Sequence, residues 1–343
     1  MNKNKKPKLK IKNKKRFFIV SGIILTILIA TAFAVKFYYD INRPEEVFKD
    51  TIEKNDDEFT EEDAYAQFDG NKINILFYGL DKNEYRDTVG GYELYRADTI
   101  MVATIDLKSK SIDILSVPRD TYVDIYDVYG KDKINASFAH GQQQAADYDG
   151  DEIQAGTDYL KRTVSELLGG IPIHFYIGIT DMAVVNEIVD EIGGVEIDVK
   201  EDMYDQTRGG VLFAEKGLQT LNGYQYLAYI RDRGTESTKD KDRVARTQES
   251  FEIVFNQLKE QNIITMIPQL IDNYNKNIDS NLTLKEMTTL GIYAQKIDLG
   301  AMDKYVVDGD YEYRDNNIYY IPDEDARLDL VKEVFGIDFE PER

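Results

Sequence analysis

Three segments rich in arginine and aspartate have residue types and spacings that could do chemistry. In the first, Gly79-Leu80-Asp81 closes an apolar run, and Arg96-Ala97-Asp98-Thr99 opens the next one after a polar loop. If the two runs are neighbouring strands, Asp81 and Asp98 meet at one sheet edge. Paired carboxylates repel each other, and a divalent cation that accepts oxygen ligands, Mg2+ or Mn2+, relieves the repulsion. Taken singly, each Asp reads better as the cap of a turn. The second segment, Val117-Pro118-Arg119-Asp120-Thr121, ends a strand, and alone its Arg–Asp pair is an ordinary surface pair worth little.

The third segment is Tyr229-Ile230-Arg231-Asp232-Arg233, followed by Asp240-Lys241-Asp242-Arg243-Val244-Ala245-Arg246-Thr247-Gln248. Arg231 and Arg233 alternate, so on an extended segment they point the same way. Arg243 and Arg246 share one face of a helix at i, i+3. They stand at the start of that helix, where the dipole disfavours cations, and a bound phosphate would reverse the penalty. A solvated charged loop is the ordinary account of such a run. Residues 231–246 nevertheless hold six basic against four acidic side chains inside a strongly acidic body, which favours an anion site.

The elements that must position these residues come next. Residues 73–79 read as a buried strand, and Thr99–Leu107 and Ser111–Val117 as two more joined by a turn at 108–111. Leu160, Val164, Leu167 and Leu168 give an amphipathic helix, and His174–Ile179 a further strand. A helix capped by Asp181 carries Val185, Ile188, Val189 and Ile192, and Val195–Val199 returns to strand. Val244, Gln248, Phe251, Phe255 and Leu258 line one side of a later helix, Ile318–Ile321 is a late strand, and 328–335 a closing helix. The expectation is one α/β domain, a central mixed β-sheet covered by helices.

Charge and composition narrow the class. The first 16 residues hold nine of the 42 Lys and Arg and no acid; residues 17–35 carry no charge; the rest is net −30. Such a body repels nucleic acid. The 19 uncharged residues span roughly 28 Å as a helix, enough for a bilayer core. Lysines before the span place the N-terminus in the cytoplasm. A signal peptide cleaved after Ala34 is the competing reading, and the length of the run favours an anchor. The expected organisation is a basic cytoplasmic tail at 1–16, a transmembrane anchor at 17–35, an acidic stalk at 36–70 and an extracellular domain at 71–338. The chain has no cysteine, and His140 and His174 lie far apart, which excludes disulfides, thiolate metal sites and a His-rich zinc site.

Together these motifs resemble the LytR-CpsA-Psr family of cell-wall glycopolymer ligases. The resemblance rests on Gly79-Leu80-Asp81, Arg96-Ala97-Asp98-Thr99, Ser116-Val117-Pro118-Arg119-Asp120, Lys133-Ile134-Asn135-Ala136, Gly193-Gly194-Val195 and Tyr229 through Gln248, in that order. It implies an extracytoplasmic, membrane-anchored phosphotransferase. The enzyme would take a glycopolymer, teichoic acid, capsule or similar, from a polyprenyl-pyrophosphate carrier to a peptidoglycan sugar hydroxyl. By the same resemblance Asp81 and Asp98 hold Mg2+ or Mn2+. Arg96, Arg119, Arg231, Arg233 and Arg243 grip the pyrophosphate, with Lys133, Arg246 and Gln248 beside them, and Asp240 is the base. Thr247 stands where the family usually has Gln, so either Gln248 or the Thr247 hydroxyl takes that contact. A non-catalytic receptor for polyprenyl phosphates or wall polymers, and a polyprenyl-pyrophosphate hydrolase, remain as alternatives. The carrier's tail requires an apolar slot, which apolar helix faces over the sheet could line.

Overall fold

The first strand, β1 (Lys72–Leu80), is apolar on both sides, as a strand covered on both faces must be. It pairs antiparallel with β2 (Ala97–Asp106), which returns through the predicted turn, with Lys110 at positive φ, into antiparallel β3 (Ser111–Ser116). The computed structural model describes residues 29–49, 51, 71–82, 94–205, 208–232, 240–260, 263–274, 276–297, 302–314 and 316–338.

Further strands follow as β4 (Tyr122–Asp124), β5 (Lys131–Lys133), β6 (Phe175–Ile179), β7 (Val195–Val199), β8 (Met203–Asp205), β9 (Val211–Ala214), β10 (Gly217–Leu221), β11 (Ile278–Ser280), β12 (Asp303–Val306), β13 (Gly309–Arg314) and β14 (Asn317–Pro322). The main sheet runs β11-β6-β1-β2-β3-β12. Its β1–β6 and β3–β12 pairs are parallel and the other three antiparallel, so the sheet is mixed as expected. The C-terminal ends of β1, β3, β6 and β12 and the start of β2 therefore share one edge.

The helices of seven residues or more among the described residues are α1 (29–41), α2 (Ala136–Gln142), α3 (Glu152–Leu167), α4 (Ala183–Glu191), α5 (Gly223–Arg231), α6 (Asp240–Lys259), α7 (Ile263–Tyr274), α8 (Leu284–Ala294) and α9 (Glu324–Phe335). Alternation along the strands splits the core. Leu76, Tyr78, Ile100, Val102 and Leu115 pack on one face with Phe138 of α2, Leu160 and Val164 of α3, and Val331 and Val334 of α9. Ile73, Ile75, Met101, Ala103 and Ile114 face the other way, toward Tyr293 of α8 and Phe48. A third cluster joins the small β7–β10 sheet to α5, whose Tyr226 and Tyr229 are buried in it, with Ile253 and Val254 of α6 packed against it.

Two glycines are required by close approach. A Cβ on Gly178 would stand 2.1 Å from the Tyr78 ring, which crosses that position to hydrogen-bond Asp279 and Thr157. A Cβ on Gly223 would stand 2.0 Å from the Asn186 carbonyl, so only glycine lets α5 start against α4.

The stalk expectation is corrected in part. Ile41 and Phe48 are fully buried, Phe48 packs on Phe175 with ring centroids 5.6 Å apart, and Asp40 pairs with Lys285 of α8 at 3.1 Å. Apolar residues at 41 and 48 give this segment something to bury, so the folded body takes it up before residue 71. Residues 17–28 of the expected anchor lie outside the described residues. Among the described residues no helix is long and apolar enough to cross a membrane.

Candidate active site

Asp98 is the centre of the site, and a β-bulge puts it there. Gly79 pairs with Thr99 and Leu80 with Ala97, which leaves Asp98 as the extra residue of β2. A bulge breaks the in-out alternation and re-aims one side chain, which is why bulges recur beside active sites. Arg119, just beyond β3, donates through Nη1 to Asp98 Oδ2 at 2.8 Å. Asn135, at the start of α2, reaches Asp98 Oδ1 through Nδ2 at 3.4 Å. Asp81 follows β1 as expected, and its carboxylate accepts the Arg96 backbone N–H at 2.9 Å, tying the two strand ends together.

A relay of ion pairs runs outward from Arg119. Its Nε lies 3.6 Å from Asp120, and Asp120 in turn holds Lys133 at 2.8 Å. The Lys133 ammonium also stands 5.7 Å over the Tyr319 ring, a cation–π contact. Arg96 is exposed beside this group.

Arg231 requires a correction. It is the last residue of helix α5 rather than part of an extended segment, so alternation with Arg233 does not orient it. The signal for that helix was a capping box: Asn222 and Gln225 exchange hydrogen bonds at its first turn. The protein packed around the Arg231 guanidinium, whose side chain still reaches solvent, lowers its pKa; Asp98 and Asp181 oppose the shift by electrostatic attraction. It remains a cation, aimed into the field of Asp98.

Helix α6 begins at Asp240 as expected. Arg233 lies outside the described residues, as do the side chains of Asp240 and Arg243. Arg246 is not an isolated cation: it donates to the Asp232 backbone carbonyl, lies 3.8 Å from the Asp232 carboxylate and stands 6.0 Å from the Tyr229 ring centroid. The arginine cluster is thus partly neutralised by its own aspartates. The next two residues diverge. Thr247 lines a small recess with Asp98, Thr99, Ser116 and Val117. Gln248 turns inward, 7% exposed, and donates to the Tyr305 carbonyl at 2.7 Å, bracing α6 against β12.

A cavity of about 680 Å³ lies against the sheet face that carries Ile75, Ala103 and Ile114. Its floor is sheet, with Ile75, Ala103 and Ile114 side by side, and its roof includes Met266 and Leu270 of α7 and Leu290 of α8. Leu258 of α6 also lines it, so one helix touches both places, roughly 16 Å apart by helical rise. An elongated ligand with an anionic head and an apolar tail matches that arrangement. The oxygen-only set of Asp81 and Asp98 suits a hard divalent ion. Among the described residues no group of three or more His, Asp or Glu converges on one point, so such an ion would take its other ligands elsewhere.

Comparison with known proteins finds relatives of this chain. The LytR_cpsA_psr family model matches residues 36–335. The chain is 29% identical to the polyisoprenyl-teichoic acid–peptidoglycan teichoic acid transferase TagT of Bacillus subtilis (strain 168), over 78% of this chain and 77% of that protein. It is 31% identical to the transferase of the same description named TagU from Bacillus anthracis (strain CDC 684 / NRRL 3495), over 76% of this chain and 78% of that one. Among solved structures, that of B. subtilis TagV superposes with a TM-score of 0.61 at 27% identity, covering 79% of this chain and 98% of TagV. TagT bound to LIIa-WTA has the same fold, with a TM-score of 0.60 at 24% identity, covering 78% of this chain and 92% of that one.

Proposed function

The chain belongs to the LytR_cpsA_psr family, and we propose that it transfers a glycopolymer from a polyprenyl-pyrophosphate carrier to a peptidoglycan sugar hydroxyl; its relatives are named as polyisoprenyl-teichoic acid–peptidoglycan teichoic acid transferases. The observation that carries this reading is a carboxylate, Asp98, bonded by Arg119 and within electrostatic reach of Arg231, joined through helix α6 to a large apolar cavity. An enzyme acting on a lipid-linked pyrophosphate needs both. Hydrolysis to water would use the same machinery, and only the acceptor separates the two.

The chemistry asks little covalent work of the protein. The acceptor oxygen bonds to the phosphorus that bears the sugar polymer, and the bond to the bridging oxygen of the pyrophosphate breaks. The polyprenyl phosphate leaves, taking that oxygen and its electron pair. Asp240, at the first position of α6, takes the acceptor's proton. Arg119 and Arg231 stabilise the charge that grows on the departing phosphate, with Arg96, Arg233 and Arg243 around it. Arg119 and Lys133 are held by Asp98 and Asp120 beforehand, so their positions are fixed before ligand arrives. Asp81 and Asp98 would hold Mg2+ or Mn2+, which supplies positive charge to the pyrophosphate. Thr247 rather than Gln248 takes the contact next to Arg246, since Thr247 is the one beside Asp98. The charge split of the N-terminal 35 residues supports an anchor with the body outside the cell.

The test is Asp81→Ala and Asp98→Ala in the full chain, read by calorimetric titration with Mg2+ and by transfer of polymer to peptidoglycan. Both variants are expected to fold, to bind Mg2+ at least tenfold more weakly, and to lose transfer. Unchanged Mg2+ affinity in both would remove the metal from this account.

A further inference from the structure

Asn135 occupies the N-cap position of α2, where an Asn normally accepts a backbone N–H from the first turn through Oδ1. Here the side chain makes no capping hydrogen bond. Its Oδ1 has no hydrogen-bond partner at all, although the residue is only 4% exposed and that atom is buried. A buried acceptor without a donor is costly, so something offsets it when the site is working. The backbone shows why the residue is held there. Asn135 N–H donates to the Arg119 carbonyl at 3.1 Å, and its carbonyl accepts from Ala97 N–H at 3.2 Å. Asn135 is therefore stitched between the residue that grips Asp98 and the residue that precedes it.

The missing partner of an acceptor is a proton donor or a cation. Around this amide stands the Asp98 carboxylate, an acceptor itself, with Nδ2 of Asn135 at a long 3.4 Å from its Oδ1. Turning the terminal amide by half a turn exchanges its nitrogen and oxygen, which carry opposite hydrogen-bonding character. Oδ1 would then lie beside the Asp98 oxygen at a separation close to the roughly 3 Å between neighbouring ligands of an octahedral ion with bonds of about 2.1 Å. We propose that Asn135 supplies the third protein oxygen, through Oδ1, to the divalent cation held by Asp81 and Asp98. The inference rests on the metal reading of those two aspartates. It accounts for an N-cap that does not cap and gives Oδ1 a cation as its partner, with Nδ2 moving to the position that Oδ1 leaves. A neutral ligand also leaves the net charge of the site open to the pyrophosphate, whereas a third carboxylate would repel it.

The test uses the full chain in detergent micelles, with Mn2+ affinity and with Tb3+ as a luminescent substitute. Luminescence lifetimes in H2O and D2O count the water molecules bound to the ion. Asn135→Ala is expected to weaken Mn2+ binding by about tenfold or more and to add one water to bound Tb3+. Asn135→Ser, which supplies a residue favoured at an N-cap and so guards against a folding defect, should do the same, because its hydroxyl is too short to reach. Asn135→Asp should restore the parent's water count. If Asn135→Ala and Asn135→Ser fold and leave the water count unchanged, Asn135 is no ligand, and a buried water is its partner. If the parent itself binds neither ion, the metal reading fails and this inference with it. If the parent binds the ions and the variants bind them equally well with the same water count, the inference alone fails.

Discussion

Ala103 offers the sharpest perturbation of the apolar cavity. It lies in the middle of β2, opposite Ile75 on one side and Ile114 on the other, in the floor of the 680 Å³ space. Ala103→Phe places about six further carbons in that space. Each apolar carbon of a ligand tail denied burial costs about 0.8 kcal/mol, so complete displacement amounts to roughly 5 kcal/mol. If the tail recovers about three fifths of that by shifting toward α7 or α8, the loss is roughly 2 kcal/mol, near thirtyfold in affinity. The ring enters open space rather than a filled core, so the melting temperature should change little. The assay compares a polyprenyl pyrophosphate with inorganic pyrophosphate on parent and variant. The lipid should bind about thirtyfold more weakly and inorganic pyrophosphate equally well. An equal loss for both ligands would mean a distorted head-group site, and full retention of lipid affinity would put the tail somewhere else.

Other consequences follow from single contacts. Arg119→Gln removes a partly buried, charge-assisted bond to Asp98 worth roughly 1.5–3 kcal/mol. It should lower the melting temperature by several degrees and abolish the rise that inorganic pyrophosphate gives the parent, as read in a thermal shift assay. Gln248→Ala should destabilise by about 1–2 kcal/mol in urea while sparing pyrophosphate affinity; Thr247→Val should do the reverse, and an exchanged pattern would return the contact to Gln248. His174 is partly buried with Nδ1 accepting the Asn74 N–H, and desolvation of the ring drives its pKa from 6.5 down to about 4. The unfolded chain therefore takes up this proton first, so the contribution is complete above about pH 6.5 and is lost as pH falls toward about 4. Between about pH 7 and pH 5 the urea-unfolding free energy of the parent should fall by about 2 kcal/mol more than that of His174→Gln.

How much of this was legible in the sequence depends on the range of the interaction. β1, β2, β3 and β6 are dense apolar runs, and α3 and α4 carry a clear 3.6 period, so each appears in the residues themselves. The placement of Asp81 and Asp98 at adjoining strand ends followed from the antiparallel pairing of β1 and β2. The bulge at Asp98 was not legible, because it is a fact of register between two strands. Nor were β11 and β12, short strands with no fully buried position that exist because β6 and β3 offer them an edge. Helix α5 was legible and overlooked: Asn222-Gly223-Tyr224-Gln225 carries the capping box. The opposite orientations of Thr247 and Gln248 depend on where β12 lies, and Phe48 on where Phe175 lies, both far away in sequence.

The central claim is that the site transfers the polymer to a sugar rather than to water. The direct measurement supplies the full chain in liposomes with a polyprenyl-pyrophosphate-linked glycopolymer and peptidoglycan, then identifies the products by mass. The account predicts polymer joined to a peptidoglycan sugar through one phosphodiester, with an equal amount of polyprenyl monophosphate released, and no such product from Asp98→Ala. Polymer ending in a free phosphate despite abundant acceptor would make the protein a hydrolase, and an unaltered lipid would make it a receptor.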